Sequence, residues 1–278
     1  MLVFYRGEKE YPIKENLMII ALVILDRTQP FLHNNAPCFA KWPGPASADG
    51  ADSSLLEQLV STVLRGPFGG TIVALHPEPA EAAQEQLHGF AVHPFTIKNI
   101  AAGPHAAWSE GLAAAAAFRE RWEKAMAAAQ SRFKGAQTPG DHAPAKNTLA
   151  EHRANKDVKI RGLARSFDRD GVMLFRGDYP AMSLELQAQL VDAFGKESPV
   201  AAARPIAQAV HQGSRGYPVI LNLDAAREVQ ALPPATDFDA WLLKNLSRVQ
   251  DVNVEYWGAA APLHSAGDYD DLCEKLKA

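Results

Sequence analysis

Cysteine is scarce: Cys38 and Cys273 are the only two in 278 residues, and they lie far apart with no metal-ligand spacing. That excludes a disulfide framework and a cysteine-based zinc site, and a reduced, cytoplasmic setting is the simpler expectation. Long apolar runs are lacking too. The strongest, Leu17 to Leu25, is too short to cross a bilayer as a helix. The mixed charges before it, Arg6, Glu8, Lys9, Glu10, Lys14 and Glu15, do not suit a signal peptide. There is no excess of positive charge: 28 Lys and Arg stand against 32 Asp and Glu, for a net charge of −4. Neither nucleic acid nor an anionic membrane is therefore expected as a partner. A phosphate-bearing small molecule stays open, because local arginines and backbone amides bind one whatever the net charge. The histidines, including His76, His88, His93 and His105, have no paired metal-binding spacing, and internal repeats and heptads are absent.

What remains is an ordinary globular composition, 47% hydrophobic and 22% charged. Leu17 to Leu25 is a continuous Leu/Ile/Val run, the pattern of a strand covered on both faces. A long loop follows from Arg27 to Asp52, then Ser54-Leu55-Leu56-Glu57, a capping box opening a helix with Leu55, Leu56, Leu59, Val60 and Val63 on one face. Further strands are expected at Thr71 to Leu75, Phe90 to Val92, Val172 to Phe175, Val200 to Ala203, Val219 to Leu221 and Val252 to Tyr256. Helices are expected at Ser109 to Phe133, Ser183 to Phe194, Asp224 to Leu232, Asp237 to Val249 and from Gly267 onward. Strand, helix, strand in this rhythm predicts one α/β domain over residues 1–278, with a mixed, mostly parallel sheet and helices on both faces. Residues 1–16 read as an added arm and residues 118–168 as a helical and loop insertion, aperiodic over 135–157.

Val172-Met173-Leu174-Phe175-Arg176-Gly177-Asp178-Tyr179-Pro180 organises the rest. Four apolar residues end at a glycine and an acid, with a helix close behind. In an open α/β sheet the carboxyl end of a parallel strand faces the crevice where ligands bind. Asp178 is thus the residue expected to touch chemistry, and an acid there suits magnesium held against phosphate oxygens. The same tetrapeptide equally suits a turn aspartate capping the next helix. Arg176 either pairs with Asp178 or faces solvent.

Three motifs in order resemble the nucleotidyltransferases that attach CMP or GMP to molybdopterin: Gly177-Asp178-Tyr179-Pro180, then Gly213-Ser214-Arg215-Gly216-Tyr217-Pro218, then Asp268-Tyr269 opening the last helix. That family carries a Gly-Asp-x-Pro strand end, a Gly-x-x-Gly-x-Pro loop and a closing Asp-x-Asp-Thr-Pro-x-Asp-Tyr segment. The Gly103 to Leu112 stretch, with Ser109, is similar to its Gly-x-x-x-Ser-Leu loop. The resemblance runs from Leu17 to the C-terminus, outside residues 118–168, and implies a nucleotide-diphospho-sugar-transferase-like domain. It implies CTP or GTP as substrate, Mg2+ bridging Asp178 and the α-phosphate, and in-line attack by a molybdopterin-like phosphate with loss of pyrophosphate. Nucleotide contacts would come from Arg27, Gly103, Ser109, Gly177, Gly213, Arg215 and Gly216, and Lys41 or Arg27 would neutralise phosphate charge.

The departures are specific. Where the family has a Gly-rich phosphate loop, this chain reads Asp26-Arg27-Thr28-Gln29-Pro30-Phe31-Leu32-His33-Asn34-Asn35, without a glycine. Asp26 adds negative charge beside the expected phosphates and Pro30 lacks a donor N–H. Lys41 precedes the Leu55 helix as the family's phosphate lysine does, across a longer loop. His264-Ser265-Ala266 replaces Asp-Thr-Pro, so His264 is either a metal-side residue or a polar loop residue. Two functions follow as expectations: a transferase with altered or lost catalysis, or a non-catalytic binding partner in molybdoenzyme cofactor maturation.

Overall fold

The computed structural model describes residues 18–25, 41–43, 53–135, 170–195 and 204–277. Among the described residues, seven strands form one sheet in the order β3-β2-β1-β4-β6-β5-β7. They are β1 (Ile19–Leu25), β2 (Gly70–Leu75), β3 (His93–Thr96), β4 (Gly171–Arg176), β5 (Ile206–His211), β6 (Ser214–Asn222) and β7 (Val249–Asn253). The helices are α1 (Leu55–Leu64), α2 (Ala80–Gln86), α3 (Ala106–Gly135), α4 (Leu184–Gly195), α5 (Leu223–Gln230), α6 (Phe238–Lys244) and α7 (Ala266–Lys275). β1 pairs in parallel with β2 and β4, β2 with β3, and β5 with β7; β6 alone runs antiparallel, to both β4 and β5. The expected mixed, mostly parallel α/β architecture is the one observed.

The local physics is legible in the residues. All seven positions of β1, Ile-Ile-Ala-Leu-Val-Ile-Leu, are buried, because neighbouring strands and both layers cover them. At α1 the Ser54 hydroxyl accepts from Glu57 N at 3.1 Å and the Glu57 carboxylate accepts from Ser54 N at 2.6 Å, closing the capping box.

Several boundaries move. β3 lies at His93–Thr96, after the Phe90 to Val92 position expected, and β7 begins at Val249, three residues before Val252. The Val200 to Ala203 segment lies outside the described residues, and β5 occupies Ile206–His211. The largest difference is Gly213 to Pro218, read from sequence as a loop. Only Gln212 and Gly213 make the turn, both at positive φ, and Ser214 onward is strand. Proline survives inside this interior strand because the β5–β6 register shifts between Gln208 and Val210, interrupting the ladder where its missing N–H would matter. The Gln208 side chain donates to Gly216 O at 3.2 Å across that gap. The Tyr217–Pro218 peptide bond is cis.

Residues 19–115 and 171–277 belong to one compact unit. Met18, residues 116–135 and Asp170 belong to a second, in which the buried Asp170 carboxylate accepts from Met18 N at 3.0 Å and pairs with Arg119 at 2.8 Å. The arm 1–16 and residues 136–168 of the expected insertion lie outside the described residues.

Gly216 is the tightest point of the fold near the strand ends. A Cβ there would meet Ala259 O at 1.8 Å, because β6 presses against the 3-10 turn Trp257–Ala260. At the hairpin tip a Cβ on Gly213 would meet nothing within 4 Å, so only its φ of +83° resists substitution. Urea unfolding should therefore find Gly216→Ala destabilised by about 2–4 kcal/mol and Gly213→Ala by about 1 kcal/mol; equal losses would contradict this packing.

Candidate functional site

β4 delivers Asp178 to the carboxyl edge of the sheet. Gly177 N donates to Ile24 O at 2.9 Å, extending the β1 pairing one residue past the strand, and Tyr179 N closes a turn onto Arg176 O at 3.1 Å. The chain is also held from the far end of the sequence: Leu263 N donates to Asp178 O at 2.7 Å. Behind this turn Ala181 packs with Trp42, Leu55, Leu263 and Leu272 in one apolar cluster, edged by Trp257 and Tyr269. Three remote segments thereby fix the position of one carboxylate.

That carboxylate is almost wholly covered, its side chain 1% exposed, and its Oδ2 accepts from Arg176 Nη2 at 2.9 Å. The other arm of the guanidinium, Nη1, donates to Asp239 Oδ2 at 2.6 Å, and Tyr217 Oη donates to Asp239 Oδ1 at 2.7 Å. The Arg176 guanidinium carbon lies 5.3 Å from the Tyr217 ring centre, within cation–π range. Aromatic rings wall the cluster: Tyr179 stands 5.1 Å and Trp108 6.2 Å from Tyr217, and Phe238 lies 4.6 Å from Trp108. Burial, and then the Asp239 charge, push the Tyr217 hydroxyl well above the ordinary tyrosine range, with Arg176 opposing. Burial and then the Asp178 charge raise Tyr179 likewise. Both hydroxyls therefore stay protonated and able to donate throughout the neutral range.

His264 Nε2 sits 3.4 Å from Asp178 Oδ2, an ion pair only when the imidazole is protonated. Its backbone is pinned by the start of α7: Asp268 Oδ2 accepts from His264 N at 2.8 Å and from Ser265 Oγ at 2.9 Å. Asp178 and His264, the two residues expected on the metal side, are thus neighbours. They do not by themselves fit a resident magnesium ion. The facing Asp178 oxygen already accepts from Arg176, both Asp239 oxygens are engaged, and among the described residues no three His, Cys, Asp or Glu side chains are grouped to hold a metal. Magnesium needs open oxygen positions around it, supplied in phosphate-transfer sites largely by the substrate.

The other expected site residues divide. Gly177 lies beside Asp178. Lys41 joins the same neighbourhood through its backbone, since its carbonyl accepts from Tyr269 Oη at 2.6 Å and the adjoining Trp42 belongs to the apolar cluster. Arg27 lies outside the described residues. Gly103 and Ser109 start α3 against the loop after α5: His105 N donates to Pro234 O at 3.1 Å and Ser109 Oγ to Gln230 O at 2.9 Å. Gly213 forms the β5–β6 tip, Gly216 abuts Ala259, and Arg215 makes two hydrogen bonds to Asp251 of β7, at 3.1 and 2.6 Å. Sequence reasoning missed Asp239 and Tyr217. Asp239 is 63 residues from Arg176 and reads as a helix-start acid beside Asp237, so no local pattern marks it.

Burial sets the worth of the two arginine pairs apart. Arg176→Met removes the guanidinium from a covered Asp178 charge and should cost about 3 kcal/mol or more in urea unfolding. Arg215→Met removes a half-exposed pair and should cost less than about 1 kcal/mol. Similar small losses for both would show that the Arg176 cluster is no anchor.

No protein-family model matches this chain, and no curated protein matches it. Solved structures do. A nucleotidyl transferase from Methanothermobacter superposes with a TM-score of 0.57 at 13% identity, over 94% of this chain and 98% of that one. Rv0371c from Mycobacterium tuberculosis H37Rv, solved in complex with manganese, gives a TM-score of 0.53 at 15% identity over 92% and 98%. A 4-diphosphocytidyl-2C-methyl-D-erythritol synthase from Anaerococcus prevotii gives 0.53 at 11% identity over 94% and 96%. At such identities the likeness is one of fold, and the chain has a nucleotidyltransferase-like α/β fold.

Proposed function

We propose that this protein binds a nucleoside triphosphate, CTP or GTP with its magnesium, at the carboxyl edge of β1 and β4, and that transfer to a molybdopterin-like phosphate acceptor is altered or lost. The fold shared with nucleotidyltransferases and the order of the Gly177-Asp178, Gly213 to Pro218 and Asp268-Tyr269 motifs support the nucleotide. The single observation carrying the altered chemistry is Arg176, whose guanidinium sits on Asp178 Oδ2 at 2.9 Å. In-line phosphoryl chemistry depends on positioning and on neutralising phosphate charge. Here the strand-end carboxylate is neutralised by an arginine of its own strand, so magnesium enters as part of the nucleotide complex. The chain's own contribution is to present donors, Arg176 and Tyr217, with Lys41 or Arg27 neutralising phosphate charge.

A second reading is a non-catalytic partner in molybdoenzyme cofactor maturation. The same arginine favours it, together with the sequence Asp26 to Asn35, which lacks the glycine that lets backbone amides approach phosphates closely. In both readings the setting is cytoplasmic; among the described residues no helix is long and apolar enough to cross a membrane.

Titration calorimetry with CTP, GTP and ATP, each with magnesium, separates the cases. The expected result is measurable heat for CTP or GTP that is lost in Asp178→Ala, with little pyrophosphate released when a molybdopterin acceptor is added. No heat at millimolar nucleotide removes the proposal, and brisk Asp178-dependent pyrophosphate release would overturn the altered chemistry.

A further inference from the structure

Two donors from different strands converge on one carboxylate at the outer side of the Arg176 cluster. Arg176 Nη1, from the end of β4, reaches Asp239 Oδ2 at 2.6 Å, and Tyr217 Oη, from β6, reaches Oδ1 at 2.7 Å. The donors are largely covered and the acceptor is half exposed. Arg176 is 15% exposed and anchored through Nη2 on the covered Asp178, while the fully buried Tyr217 ring is packed between Trp108 and Tyr179. Asp239 is 48% exposed and belongs to α6, a helix of only seven residues. A carboxylate and a phosphoryl group both offer two oxygens to such a fork, and a guanidinium takes either.

We propose that Arg176 and Tyr217 form an oxyanion subsite for a phosphoryl group, and that Asp239 is the chain's own occupant of it, displaced when a phosphate binds. This deepens the nucleotide reading and rests on it for the identity of the ligand. Arg176 stays in place on exchange, because its Nη2 is held on the covered Asp178 carboxylate and withdrawing a charged partner from a buried group is costly. Asp239 is the one that moves, because its carboxylate is half exposed and regains water when displaced, whereas Asp178 is covered. The raised hydroxyl of Tyr217 remains a donor before and after exchange. The Arg215–Asp251 pair offers no comparable fork: both donors belong to one half-exposed guanidinium reaching across β5 from β6 to β7.

The test is titration of the full chain with inorganic pyrophosphate and, separately, with CTP, at low salt. Asp239→Asn keeps the shape and the acceptor for Tyr217 but removes the competing charge, so pyrophosphate should bind about three- to fivefold tighter than to wild type. Tyr217→Phe, which removes one donor, should weaken it. Pyrophosphate binding that is unchanged or weaker in Asp239→Asn, or absent from both proteins, overturns the subsite. Tighter pyrophosphate binding without any CTP binding supports the subsite and removes the nucleotide reading. CTP binding indifferent to Asp239→Asn and Tyr217→Phe leaves the nucleotide reading standing and overturns the subsite.

Discussion

Arg176 carries one positive charge between two carboxylates, and burial decides what that arrangement is worth. Asp178 is sealed at the strand end, where an ionised carboxylate without a partner would be expensive; Asp239 faces water and is cheap to leave. One guanidinium therefore has a permanent arm and an exchangeable arm. Its planar fork makes this possible, since a lysine ammonium would offer a point charge without the two-sided geometry. The aromatic wall of Tyr217, Trp108 and Tyr179 lowers the local polarity and sharpens the contrast.

The scaffold places this charge with few degrees of freedom. β1 supplies Ile24 O to Gly177 N, the segment before α7 supplies Leu263 N to Asp178 O, and Gly216 lets β6 lie close enough to the Trp257–Ala260 turn to bring Tyr217 alongside. Tyr269 ties the Lys41 backbone to the same corner through a hydrogen bond spanning most of the chain. The residues that carried the family resemblance, Gly177, Gly216, Asp268 and Tyr269, thus all have a structural task at the strand ends: two admit close approach, one ties His264 and the Ser265 cap to the start of α7, and one tethers the Lys41 backbone.

How much of this the sequence disclosed depends on how local the physics is. The β1 run, the Ser54–Glu57 capping box and the Gly-Asp turn after β4 depend on neighbours within a few residues, and all three are found as read. The first half of β6 was hidden because Gly-Tyr-Pro carries loop chemistry, and only the register shift opposite Gln208 lets a strand absorb it, while Val219 to Leu221 reads as strand from the residues alone. β3, with two of its four residues exposed, leaves little apolar periodicity to detect. At the site, the pairing of Asp178 with Arg176 was one of two open readings, while Asp239 and Tyr217 come from elements whose approach is set by the sheet order and not by any local pattern. Ser109 and Arg215 illustrate the reverse: residue types suited to phosphate that the fold spends on Gln230 O and Asp251.

On the proposed reading, the cation paired with Asp178 in the free protein is Arg176, and a divalent ion comes only with phosphates. Electron paramagnetic resonance of manganese added to the nucleotide-free protein tests this most directly. The account predicts that the signal of the free ion is retained until CTP or pyrophosphate is supplied. A bound-manganese spectrum in the absence of any phosphate ligand, abolished by Asp178→Ala, would contradict it.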